Sequence, residues 1–242
     1  MLGPRPSILF YCPDNPSAIY TMRIIGVTGG IACGKSTVSD YLSSHYQLPI
    51  QDADSLAREL VAPGSLLLPQ LRDRFGAAIF LPDGCLDRAT LGTLVFQDLA
   101  SRRWLEGLIH PLVRDRLQQV RDDFLQAPPQ PTTVPIIPQG PGLVFVIPLL
   151  FEAGMEDLVS ECWVISCDPN QQLDRLMTRN HLTYFQAMDR IQSQWPLAAK
   201  AARADRVLDN RGTVEQLYQQ IDWAIAHPPS DVSLRRQRFP TG

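Results

Sequence analysis

The sequence has no C-x-x-C pair among its five cysteines, Cys12, Cys33, Cys85, Cys162 and Cys167, and only four scattered histidines. No ligand set for a structural zinc therefore forms at the usual spacings. The odd cysteine count, without paired spacing, points to a reducing cytoplasm rather than a disulfide scaffold. No apolar run approaches the roughly 20 residues that span a bilayer. The N-terminus lacks a basic start followed by an apolar stretch and a small-residue cleavage site, so neither a membrane association nor export is expected. A basic surplus is missing as well. With 22 Lys and Arg against 25 Asp and Glu the formal charge is −3, whereas proteins that track a nucleic-acid backbone carry a positive excess. No nucleic-acid partner is expected, and any anion must be held by a local site. What the 242 residues do contain is 45% hydrophobic side chains, enough to bury one α/β core with a smaller inserted domain.

Residues 1–21 carry Pro4, Pro6, Pro13 and Pro16 without helical or strand period, and are expected to be a disordered extension. The fold is expected to occupy 22–226. Met22–Thr28 opens like a buried β-strand, Ser36–Tyr46 reads as a helix, and Leu48–Gln51 as a second strand. From Ser55 to Leu125 the pattern is helical, with breaks at Pro63-Gly64 and Leu81-Pro82-Asp83-Gly84. This is the candidate inserted domain, about 55–125, within a core formed by 22–54 and 143–226. Its last segment puts Trp104, Leu105, Leu108, Ile109, Leu112 and Val113 on one stripe, although His110-Pro111 is expected to kink or restart the helix. The proline-rich stretch 126–142 reads as an exposed loop. Apolar strands follow at Leu143–Ile147 and Cys162–Cys167, as in a parallel sheet covered on both faces. Asp168-Pro169 is a cap and first-turn proline for a helix to about Arg179. A second helix is expected near Thr183–Gln194, a short strand at Arg206–Leu208 and a last helix at Val214–Ala226. Residues 227–242 read as a disordered tail.

Gly29-Gly30-Ile31-Ala32-Cys33-Gly34-Lys35-Ser36 satisfies G-x-x-x-x-G-K-[ST] between an apolar strand and a helix, the context that makes this pattern a phosphate-binding loop. Its glycines let consecutive N–H groups turn inward at phosphate oxygens, and the helix N-terminus adds its positive dipole end. Lys35 is placed to reach β/γ-phosphates, and Ser36 to bind Mg²⁺. Cys33 reads as a small loop filler, because nothing nearby in sequence marks it as activated. A guanine-specific N-K-x-D is absent, and the early D-x-x-G, Asp73–Gly76, falls in the helical region, so a GTPase is disfavoured. The length spent on a helical insertion favours a small-molecule kinase over a motor ATPase.

Asp52-Ala53-Asp54 closes the second strand, where ligands of open α/β sheets bind. A carboxylate there can accept a hydroxyl proton or hold Mg²⁺ through water. Asp54 ahead of Ser55-Leu56-Ala57-Arg58 would also serve as a helix cap. Together with Thr28–Ile31, Pro63-Gly64, Phe75-Gly76, Asp83-Gly84 with Leu86, Arg88 and Leu91, then His110-Pro111, Ile147-Pro148-Leu149-Leu150-Phe151-Glu152, Gln172, Arg175, Arg179, Arg190, Gln194, Pro196, Ala204-Asp205 and Asp209-Asn210, these motifs resemble dephospho-coenzyme A kinase from Met22 to Ala226. The D-A-D, H-P and I-P-L-L-F-E runs in this order carry most of the specificity.

The resemblance implies a P-loop three-layer α/β sandwich with a parallel sheet, an inserted helical CoA-binding domain and a short helical lid at about 180–204. It implies ATP-dependent phosphorylation of the ribose 3′-hydroxyl of dephospho-CoA, with Mg²⁺. Asp54 would be the base and Lys35 the phosphate clamp. The ATP site would comprise Gly30, Ile31, Ala32, Cys33, Gly34, Lys35, Ser36, Thr37, Arg179 and Asn210. Asp52, Arg58, His110 and Glu152 would line the acceptor site, although Glu152 could equally hold its loop by hydrogen bonds and His110 could be a satisfied core residue. Val146 stands where some relatives place an acidic Mg²⁺ partner. A nucleoside monophosphate kinase remains the enzyme rival, and an ATP-dependent regulator the non-enzyme one. A monomer is expected, with an oligomer left open.

Overall fold

The computed structural model describes residues 9–12, 15–126 and 142–229. The proline-rich stretch from 127 to 141, and the tail from 230, lie outside the described residues, as do the expectations placed on them. Two strands, β1 (Leu9–Cys12) and β2 (Asn15–Thr21), pair antiparallel, so the expected disordered extension is corrected there. Leu9, Phe10, Tyr11, Ile19 and Tyr20 are β-favouring residues, and the intervening prolines mask their pattern in sequence.

The chain divides into two compact units, 1–51 with 120–242, and 52–119; the second begins three residues before the expected insertion and ends six before its expected end. The first unit is built on a parallel sheet. Strand β3 (Arg23–Gly29) is buried along its whole length. After it come α1 (Lys35–Tyr46), β4 (Ile50–Asp52), β5 (Gly142–Val146), β6 (Glu161–Ser166), α6 (Pro169–Asn180), α7 (Tyr184–Gln192), α8 (Leu197–Arg203), β7 (Arg206–Asp209) and α9 (Val214–Ala226). The sheet order is β4-β5-β3-β6-β7. From β3 the chain travels toward β4, whereas from β6 it travels toward β7. The loops leaving β3 and β6 therefore diverge at a topological switch point, the place where open α/β sheets bind ligands.

One face of the sheet buries Ile25, Val27, Val144, Val146, Trp163, Ile165 and Leu208 against Val38 and Leu42 of α1 and Leu217, Ile221 and Ile225 of α9. At the other end of β3, Arg23 is buried with Glu161. Its Nε donates to Glu161 Oε1 at 2.7 Å, and its Nη1 and Nη2 donate to the carbonyls of Ile225 and Ala224 at the end of α9. Trp163 Nε1 donates to the second carboxylate oxygen at 2.8 Å. A buried pair of this kind is tolerable because the remaining lone pairs and protons are satisfied.

The second unit holds α2 (Ala53–Glu59), α3 (Leu67–Phe75), α4 (Arg88–Gln97) and most of α5 (Leu99–Gln126). Val61, Leu67, Leu71, Ile79, Leu86 and Leu91 form its core, with Trp104, Leu105, Leu108, Ile109 and Leu112 of α5 packed on it. The expected restart at His110-Pro111 does not occur, since α5 continues through Pro111. An interior proline removes one backbone bond and costs about 3 kcal/mol. Residue i−4 is Gly107, and the apolar stripe on both sides of the proline keeps the helix packed.

Candidate active site

The turn from β3 into α1 is shaped by backbone conformations most side chains avoid. Ala32 has φ 59° and Gly34 φ 101°, and a β-carbon on Gly34 would collide with the Asn210 side-chain amide. Such a turn exposes consecutive N–H groups on one side and must satisfy its carbonyls on the other. Two side-chain amides hold carbonyls, and a third takes one of the N–H groups. Gln172 Nε2 of α6 donates to Ile31 O at 2.9 Å, and Asn210 Nδ2, just after β7, donates to Cys33 O at 2.8 Å. Gln194, after α7, accepts from Ile31 N–H at 3.0 Å. Both Gln172 and Asn210 are buried, so the loop is set by elements more than 130 residues away in sequence.

Lys35 Nζ donates to the carbonyls of Gly30 and Gly29 at 2.9 and 3.2 Å, arching back over the loop. Helix α1 starts with Gly34 as N-cap without a side-chain cap, and has no acidic residue in its first turn. Its leading N–H groups and dipole are thus directed at the loop without a competing carboxylate. Ser36 is exposed in that first turn. Arg175 Nη2 donates to Asn210 O at 3.2 Å, while Arg179 is exposed and bonded to its neighbour Asn180. Arg175 is therefore the arginine linked to the loop's supporting amides.

Cys33 does not act as a lone filler. It is fully buried, and its Sγ accepts a hydrogen bond from Cys167 Sγ at 3.0 Å, from the residue that follows β6. That donation holds the Cys33 thiol below its ordinary value, and Lys35 and Arg175 add to this against the opposing effect of burial. The Cys167 thiol is pushed up by the same bond and by burial.

Glu152 sits in the turn after β5. Its Oε1 accepts from Trp195 N–H at 3.0 Å and pairs with Lys200 Nζ of α8 at 2.8 Å. Lys200 is fully buried and also donates to Pro148 O at 2.9 Å, the carbonyl that receives the Thr28 hydroxyl at 3.1 Å. Of the two readings of Glu152, this geometry favours the loop-holding one. The carboxylate ties the returning end of the expected lid segment to the turn beyond β5. No local pattern in the sequence singles out Lys200 or Cys167.

In the second unit, Asp52 is the N-cap of α2 and accepts from Ser55 N–H at 2.8 Å. The capping role considered for Asp54 thus belongs to Asp52. Asp54 is exposed in the first turn, as is Arg58 in the last, and the Arg58 carbonyl accepts from Arg88 Nη2 at 2.9 Å. His110 is half-buried on α5. Among the described residues no group of three His, Cys, Asp or Glu side chains could hold a metal ion.

Residues 23–216 match the family model for dephospho-CoA kinase. A dephospho-CoA kinase of Trichormus variabilis is 52% identical over 205 residues, covering 85% of this chain and 97% of the relative. One from Synechococcus elongatus is 48% identical, covering 85% and 92%. Among solved structures, a Thermus thermophilus protein superposes with TM-score 0.66 at 30% identity, covering 84% of this chain and 96% of its own. The dephospho-CoA kinase of Campylobacter jejuni gives 0.60 at 25% identity, covering 85% and 96%.

Proposed function

The chain belongs to the dephospho-CoA kinase family, and from that premise we propose how its residues divide the labour of the reaction. It is a kinase that uses ATP to phosphorylate the ribose 3′-hydroxyl of dephospho-CoA, the last step of CoA synthesis. The observation that supports the division is the loop at Gly29–Ser36, whose carbonyls are held by Gln172 and Asn210. With the carbonyls so held, its N–H groups are pre-set for β- and γ-phosphate oxygens before ATP arrives. Lys35 binds the same phosphates, exchanging its contacts to Gly29 and Gly30 for phosphate oxygens.

Asp54 acts as the base on the acceptor hydroxyl. It is exposed and relieved of capping by Asp52, and the hydroxyl's proton passes to its carboxylate as the phosphoryl group transfers. Asp52, Arg58 and His110 are assigned to dephospho-CoA binding, and Arg179 and Asn210 to the ATP side, with Asn210 acting through the loop. The Ser36 hydroxyl, exposed in the first turn of α1, would hold Mg²⁺ bound with ATP, and the cation would supply neutralising charge to the phosphates. Residues 180–204 serve as a lid that excludes water as a competing acceptor. We place the protein in the cytoplasm as a monomer; among the described residues no helix is long and apolar enough to cross a membrane.

The test is incubation with ATP-Mg²⁺ and a panel of dephospho-CoA, nucleoside monophosphates and water alone, followed by mass analysis of the products. CoA and ADP should form with dephospho-CoA. Preferential phosphorylation of a nucleotide phosphate would refute the assignment.

A further inference from the structure

We propose that Cys33 and Cys167 form an oxidation site within the phosphate loop, at which a peroxide converts the two thiols into a disulfide that shuts down ATP use. The sulfurs stand 3.0 Å apart, one inside the loop after β3 and the other at the end of β6. The two strands are direct neighbours, with Gly29 in register with Ile165, so the sheet itself holds the thiols together across 134 positions of sequence. Both are buried, Cys33 at 0% and Cys167 at 5% exposure. A cavity of about 240 Å³ is lined in part by Cys167, Asp209 and Arg211. It brings a small neutral oxidant up to Cys167, whose sulfur touches that of Cys33.

The chemistry follows from which sulfur holds the proton. Cys167 donates its S–H to Cys33, and the Lys35 and Arg175 charges favour a thiolate at Cys33, the form that attacks peroxide. The Cys33 thiolate attacks one oxygen of hydrogen peroxide, the O–O bond breaks, and a sulfenic acid forms at Cys33. The departing hydroxide takes the Cys167 proton and leaves as water. The Cys167 thiolate then attacks Cys33 Sγ, the S–O bond breaks, and a second hydroxide departs and is protonated by solvent. Two thiol sulfurs are oxidised and one peroxide is reduced to two waters.

A disulfide is about 2.05 Å long, so bonding draws Cys33 toward β6 by about 1 Å. The Cys33 carbonyl is held by Asn210 at 2.8 Å and its N–H donates to Gly30 O at 3.3 Å, so a shift of Cys33 is passed to the loop around it. Its phosphate-facing N–H groups move with it. A displacement of about 1 Å in a positioning element costs on the order of 10²-fold in rate.

The experiment exposes the full chain, without denaturant, to hydrogen peroxide. Remaining thiols are then blocked, the protein is digested, and linked peptides are identified by mass. A peptide pair joined through Cys33 and Cys167, lighter by two hydrogens, is expected. Transfer to dephospho-CoA should fall about 10²-fold in the cross-linked fraction and return with dithiothreitol. Cys167→Ser should retain transfer when reduced, give no linked peptide, and accumulate oxygen on Cys33 instead. Peroxide-treated wild type with no such linked pair, with any lost activity mapping to Cys85 or elsewhere, would overturn the proposal. So would a fully cross-linked protein that still transfers phosphate at the normal rate.

Discussion

Asp54→Asn separates the proposed catalytic role of Asp54 from folding, because the cap of α2 belongs to its neighbour Asp52. The cap of α2 is made by Asp52, whose carboxylate accepts from Ser55 N–H at 2.8 Å, and it survives the substitution. What is lost for stability is one negative charge in the first turn of α2, about 0.3–1 kcal/mol at an exposed helix N-terminus. For a chain of this size that lowers Tm by roughly 4 °C at most. The loss to catalysis is of a different order. A positioned base contributes about 10²–10⁴ in rate, and the late proton departure of a loose phosphoryl transition state favours the lower half of that range. Turnover should therefore fall by roughly 10²–10³, or about 2.7–4.1 kcal/mol of barrier, while ATP affinity changes little. Steady-state transfer to dephospho-CoA, ATP affinity and thermal melting on the same preparation decide the matter. Near wild-type turnover would remove Asp54 as the base, and a rate loss matched by a collapse in melting temperature would show a structural role.

Lys35→Ala should weaken ATP binding and transfer together, because the ammonium neutralises β/γ-phosphates in ground and transition state alike; unchanged ATP affinity by calorimetry would take Lys35 out of the site. Glu152→Ala should destabilise the protein by about 3–5 kcal/mol, since it leaves the fully buried Lys200 ammonium without its carboxylate. Adding Lys200→Met should restore much of that in denaturant melts, and a loss below about 1 kcal/mol in the single variant would contradict the pairing argument. Tyr41 and Tyr46 both donate to Asp222 Oδ1, and burial followed by Asp222 pushes the Tyr41 phenol up to about 12. The fold thus favours the neutral phenol, a contribution complete below the ordinary value near 10 and lost as pH rises through about 12. Alkaline difference spectra should show this delayed titration, with a lower midpoint in Asp222→Asn; all tyrosines ionising together near 10 would refute it. Deleting residues 1–21 should leave transfer intact, because β1 and β2 form a sheet of their own outside the five-stranded one and a lone two-stranded sheet adds little stability; a tenfold drop in kcat/KM would show otherwise.

The phosphate loop was legible because its strand, glycines, lysine and helix are contiguous, and local chemistry dictates each part. Helix ends marked by a cap, such as Asp168-Pro169 and Thr183, lie where the sequence puts them for the same reason. The hairpin at 9–21 was hidden by prolines that suit a turn as well as a disordered tail. Pro111 misled in the other direction, since local rules favour a break and only the packed stripe around it keeps α5 whole. The resemblance picks out Gln172, Gln194 and Asn210, but a local pattern does not reveal how they support the loop. Gln172, Gln194 and Asn210 meet the loop across 141, 163 and 177 positions, and the partner of Cys33 lies 134 positions away. Nothing in a local pattern distinguishes an amide that fixes a distant carbonyl from one that faces water. For Glu152 the sequence left a substrate contact and a loop-holding role equally open; the contact that favours the second is with Lys200, which the sequence presents as one more helical cation.

The buried Arg23–Glu161 pair also imposes an order on synthesis. Arg23 leaves the ribosome among the first residues of the sheet, but its guanidinium is complete only when the carbonyls of Ala224 and Ile225 exist, up to 202 residues later. At about 5–20 residues per second, the nascent chain carries that cation for roughly 10–40 s, and the edges of β3 stay unpaired for roughly 6–28 s, until β5 and β6 are made. The phosphate loop cannot settle until Asn210 is made, 177 positions after Cys33. Translational pausing after the codon for Tyr46 would prolong an aggregation-prone fragment, whereas fast translation through β5 and β6 would shorten its life.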